Sequence, residues 1–159
     1  MKRLTAVLLA LLVSPAVIAG GAQDVSPLLR QIEGDINANQ PKWRMVKRSL
    51  SKDRKYVSYK WKSGTSSIEV LLVFNSSEEL AIDRFKTLPS DLELGGLAMK
   101  LSEVELRLGD EATSWNSISD HRVSGILLRK GRVVANVSGT NKDAVKRFAS
   151  QIADALPSD

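Results

Sequence analysis

Two hydrophobic periods alternate along the chain, and the switches between them mark its elements. Leu28, Leu29, Ile32 and Ile36 recur at helical spacing behind Ser26-Pro27, a capping serine followed by proline at the first helical position. The pattern predicts a helix that ends near Asn39-Gln40-Pro41. From Trp43 the period drops to two. Residues 43–48 read as one strand and 55–62 as another, with Val57, Tyr59 and Trp61 on one face and Ser58, Lys60 and Lys62 on the other. Ser63-Gly64-Thr65 predicts a turn. Residues 67–74 follow with little polar face, which suits a strand inside a sheet covered on both sides. Ser76-x-x-Glu79 is a capping box, and Leu80, Ala81, Ile82, Phe85 and Leu88 give the helix behind it an apolar face that Pro89 should end.

Residues 90–110 alternate less cleanly. Leu97, Met99 and Leu101, then Val104, Leu106 and Leu108, predict one or two strands after a Gly95-Gly96 loop, with a turn at Leu108-Gly109-Asp110. Residues 111–117 read as a short strand. Residues 123–129 and 132–138 form a hairpin across Lys130-Gly131. Thr140 or Asn141 caps a last helix striped by Ala144, Val145, Phe148, Ile152 and Leu156, and Pro157 closes it. Val70–Phe85 aligns without gaps on Val133–Phe148, with Val70/Val133, Ala81/Ala144, Arg84/Arg147 and Phe85/Phe148 identical. Each half reads strand, strand, helix, the order a ββα duplication would leave. The predicted class is α+β: a mostly antiparallel β-sheet flanked by helices. Without long βαβ alternation, a doubly wound fold is disfavoured.

The first residues depart from both periods. Met1-Lys2-Arg3, an apolar run from Ala6 to Val13, Ser14-Pro15 and then small residues have the layout of a secretory signal peptide. The expected division is a signal over 1–19 and a single domain over 20–159, with cleavage after Ala22 as the alternative to Ala19. The run falls short of the roughly 20 apolar residues of a bilayer span. No cysteine follows it, which argues against a lipid anchor. The expected location is periplasmic or secreted.

Composition narrows the chemistry. The 159 residues contain no cysteine and one histidine, which excludes disulfides, thiol nucleophiles, zinc–thiolate sites and multi-histidine metal centres. No phosphate-binding loop, dinucleotide fingerprint, calcium loop or nucleophile elbow occurs, so no cofactor or metal is expected. The sequons at Asn75 and Asn136 read as silent. The formal charge of +5 includes Lys2 and Arg3 of the signal. The remainder is uneven: residues 42–62 carry nine basic side chains against Asp53 alone, whereas residues 63–124 are net acidic.

That basic stretch also holds four of the eight aromatic residues. Aromatic faces stack on sugars or bases, and Lys and Arg neutralise phosphate or carboxylate. Trp43, Arg44, Lys47, Arg48, Arg54, Lys55, Tyr56, Lys60 and Lys62 are therefore the candidate ligand-binding residues. The partner would be another envelope protein or an anionic envelope polymer rather than nucleic acid. A plainer reading puts Val57, Tyr59 and Trp61 in the core, with the lysines dressing a solvated strand that resists edge pairing. No catalytic set is expected. The rival reading is an envelope hydrolase using Asp110, Glu111 or His121, with Asp120 orienting the imidazole. Adjacent carboxylates on extended chain point apart, however, and turn chemistry explains Asp110-Glu111 better. A third reading is a structural or chaperone-like module with an open sheet edge or apolar groove. Trp115 reads as core, with a pocket wall as the alternative.

Leu108-Gly109-Asp110-Glu111-Ala112, Trp115, the hairpin Ile126–Gly139 and the helix after it together resemble a pattern found in small exported bacterial proteins and lipoproteins. Those proteins are similar to PsbP/Mog1-like α-β-α sandwiches. The resemblance covers residues 108–156 and consists of strand, turn and helix rather than catalytic residues. It implies a non-enzymatic envelope or secreted domain and carries over no site residues. The lipobox cysteine of the lipoprotein members is missing here.

Overall fold

Alternation and helical spacing produce ten elements in the computed structural model, which describes residues 24–94, 98–104 and 106–158. In chain order they are α1 (Ser26–Asn39), β1 (Arg44–Leu50), β2 (Tyr56–Ser63), β3 (Ser66–Phe74), α2 (Glu78–Leu94), β4 (Met99–Ser102), β5 (Glu111–Ser117), β6 (Ser124–Lys130), β7 (Val133–Gly139) and α3 (Lys142–Ala155). The signal-peptide expectation for residues 1–19, the alternative cut after Ala22, the Gly95-Gly96 loop and Leu97 lie outside the described residues. Among the described residues, no helix is long and apolar enough to cross a membrane.

The seven strands form one antiparallel sheet in the order β1-β2-β3-β7-β6-β5-β4. Period-two alternation sends Val57, Tyr59 and Trp61 to the same side as Val70, Leu72, Leu128, Ala135 and Val137. Helices α1 and α3 cover that side, inserting Leu29, Ile32 and Ile36 from α1 and Phe148 and Ile152 from α3. Each fully buried Leu, Ile or Phe contributes roughly 1.5–3 kcal/mol relative to exposure. Helix α2 packs on the opposite side, where Ala81 and Leu88 meet Val73, Leu127 and Val134. The protein is thus α+β in three layers, with β3 and β7 inside the sheet as the two-sided apolarity of β3 predicts.

Leu72 lies opposite Ala135 in the β3–β7 ladder. The sequence echo aligns the same two residues, so a local twofold normal to the sheet relates these strands. Such a twofold leaves both flanking helices on one face. Helices α2 and α3 lie on opposite faces, so the echo extends to the strands and not to the placement of the helices.

Local chemistry shifts several boundaries. Ser26 is helical rather than a cap; Val25 is the N-cap, and the Ser26 backbone N–H donates to Asp24 Oδ1 at 3.1 Å. Ser77, not Ser76, caps α2, accepting from the Leu80 N–H at 3.3 Å. Pro89 does not end α2, which continues to Leu94. Proline removes one ladder bond, and Leu92 beyond it still packs against the sheet cluster, which holds the last turn in place. Residues 98–104 and 106–110 supply one strand, β4. Beyond it Leu108 is buried in the core and Val104 packs against it, so their alternation anchors an irregular segment.

Candidate anion-binding face

The β1–β2 register places Arg44 opposite Lys62 and Lys47 opposite Lys60. Like charges directly opposed across a ladder are destabilising. A bulge between Met45 and Lys47 produces the second pair. In an unbroken ladder Lys47 would face Tyr59, on the α1 side of the sheet. The extra residue, Val46, reverses the alternation from that point. Lys47 therefore joins Arg44, Lys60 and Lys62 on the face that carries α2. Arg48 turns the other way and meets Glu33 of α1 at 3.3 Å.

Helix α2 packs over β6, β7 and the Val73 end of β3, which leaves the β1–β2 part of this face open. A groove of about 420 Å³ runs across the strands there. Lys47, Lys60 and Glu69 line its charged part, Leu71 and Leu92 its apolar part, and Asn136 and Ser138 its far end. Lys60 Nζ donates to Glu69 Oε1 at 2.6 Å. Arg44, Lys47 and Lys62 form no ion pair among the described residues. Asn136 is buried, and its Oδ1 accepts from Trp115 Nε1 at 2.9 Å. That bond leaves the amide nitrogen as the donor Asn136 offers the groove. The face can hold an anion between its cations and hydrogen-bond neutral oxygens at its inner end.

The nine candidate residues are not one patch. Arg44, Lys47, Lys60 and Lys62 come together. Trp43 is buried, edge-on to Phe148 with ring centroids 5.4 Å apart. It cannot stack on a ligand beside the lysines without leaving the core. Arg48 is engaged on the opposite face. Arg54 occupies a left-handed turn position at φ 57° and lies 3.8 Å from Asp24. Lys55 and Tyr56 line a separate groove beside α2 with Arg84 and Asp91. Tyr59 and Trp61 stack in the core. Glu69, Leu71, Leu92, Asn136 and Ser138 were not candidates from sequence. Asn136 had a readable signal, because a polar side chain inside an apolar hairpin strand is the informative exception to burial rules.

The hydrolase set does not assemble. Asp110 and Glu111 both turn onto the buried guanidinium of Arg129, at 3.2 and 2.8 Å, and Glu78 joins them at 3.0 Å. Burial disfavours the charged Arg129, but the hydrogen bonds it donates to Glu111 and Glu78 outweigh it and hold its pKa above the usual value. Asp110 Oδ2 also accepts from the Gly131 N–H at 2.8 Å. His121 follows the other end of β5. Asp120 does not orient it: both Asp120 oxygens accept from Arg122 at 3.0 Å, which lowers the carboxyl below its ordinary range. No group of three or more His, Cys, Asp or Glu side chains suited to a metal occurs among the described residues. Trp115 is core, lying across Gly125, where an added Cβ would meet its ring.

No protein-family model matches the chain, and no curated protein does either. Two solved structures resemble its fold. The extracellular domain of PknH from Mycobacterium tuberculosis is 10% identical, with a TM-score of 0.48 over 76% of this chain and 89% of that one. A GTP binding regulator from Thermotoga maritima is 10% identical, with a TM-score of 0.46 over 81% of this chain and 89% of that one.

Proposed function

We propose that residues 20–159 form an exported, non-catalytic binding domain that holds an anionic polymer of the cell envelope on the Arg44–Lys47–Lys60–Lys62 face. One observation carries this reading: two pairs of directly opposed cations sit on the β1–β2 part of the sheet, which α2 leaves uncovered on its own face. Opposed cations oppose folding, whereas an anion between them removes the repulsion. The signal-like residues 1–19 support the envelope setting. A chaperone-like role would call for a wholly apolar groove, whereas Lys47, Lys60, Glu69 and Asn136 line this one beside Leu71 and Leu92.

The test is binding to dextran sulfate across a salt series. Affinity should fall steeply between about 20 and about 300 mM salt as the charges are screened. The triple variant Arg44→Gln, Lys47→Gln and Lys62→Gln should bind at least about tenfold more weakly. Its melting temperature should be unchanged or higher. Undetectable binding at low salt, or a triple variant that binds as tightly as the parent, rejects the proposal.

A further inference from the structure

A second cavity, of about 230 Å³, lies on the other side of the sheet, where α3 stops short of β4 and β5. Val104, Leu106 and Ile126 make its apolar wall, and Lys142 and Lys146 of α3 stand at its rim with Glu103. The two lysines are one helical turn apart, a spacing at which like charges destabilise the helix. They also occupy the first turns of α3, the positive end of the helix dipole, where cations are disfavoured. Asp143 offsets part of this field from the same turn. Neither lysine has an ion pair among the described residues. Ser124, buried in the cavity wall, has a hydroxyl without a partner among the described residues. Leu106 is left 46% exposed beside them. Doubly disfavoured cations beside an unfilled apolar wall complement a ligand with a negative head and a short apolar body. The volume limits that ligand to a few carbons, since drug-sized sites begin at roughly 300 Å³.

We infer that this cavity binds a small aliphatic carboxylate, with the carboxylate at Lys142 and Lys146 and the hydrocarbon against Val104, Leu106 and Ile126. The site shares no residue with the polyanion face and stands or falls independently of it.

The experiment follows backbone amide chemical shifts of the full protein titrated with isovalerate and with its neutral counterpart, isovaleramide, at low ionic strength. Isovalerate should shift Ser124, Ile126 and Lys142 saturably, and isovaleramide should bind about tenfold more weakly. The double variant Lys142→Gln and Lys146→Gln should lose about tenfold in isovalerate affinity and melt slightly higher, because repulsion in α3 is gone. Its affinity for isovaleramide should not change. Equal binding of the acid and the amide, shifts centred on Lys47 and Lys60, or no saturable shift at all overturns the inference.

Discussion

Tyr59 is buried to 2% exposure, and its hydroxyl donates to Glu33 Oε1 at 2.9 Å, the same carboxylate oxygen that Arg48 reaches. Burial raises its pKa well above the ordinary 10.0, and the bond to Glu33 raises it further. The sign follows from linkage. The folded protein keeps the phenol proton where the unfolded chain has lost it, so the contribution is intact below pH 10.0 and is lost as pH rises above it. The parent should therefore lose melting temperature between about pH 9 and about pH 11. Tyr59→Phe should show a shallower alkaline decline while being about 1 kcal/mol less stable at neutral pH. Thermal melts across that range measure both, and parallel alkaline slopes for the two proteins would show that Tyr59 does not set the dependence.

Among the strands, β1 is the least protected: it pairs only with β2, and of its seven residues only Met45 is shielded from solvent. Strands β3 and β7 lie inside the sheet; β7 buries six of its seven residues, and β3 leaves only Glu69 exposed. Amide exchange should accordingly be fastest in β1 and slowest in β3 and β7, in line with local contact density. Protection in β1 equal to that of β7 would mean that the outer ladder opens only on global unfolding. Much of this ordering was readable from sequence. The alternation of Val57, Tyr59 and Trp61 assigned their face, and the unbroken apolarity of residues 70–74 placed β3 inside the sheet. The bulge at Val46 was not readable, because it depends on pairing with a partner strand. That one residue exchanges the faces of Lys47 and Arg48, bringing Lys47 beside Arg44, Lys60 and Lys62. Helix α2 past Pro89 was hidden for a similar reason: contacts made by Leu92 on the sheet outweigh a local stop signal. Asn136 joined the site only once β7 lay beside β3.

The two halves of the chain meet along one ladder, β3 with β7. The larger core cluster draws residues from α1, β2, β3, β6, β7 and α3. No subset of elements keeps that cluster intact, so unfolding should be a single cooperative event. Melting followed by far-ultraviolet ellipticity and by tryptophan fluorescence should give coincident curves. Trp43 and Trp61 report from one side of the sheet and Trp115 from the other, so separated curves would reveal two units. The same ladder sets an order of events during synthesis. β3 is complete at Phe74, but its second neighbour, β7, begins only at Val133. A nascent chain leaving the ribosome thus carries an apolar strand with one edge unsatisfied until about the last sixth of the sequence emerges. Polypeptides cut short before Val133 keep that edge open for good, and they are the form of this protein most exposed to aggregation and to capture by holding chaperones.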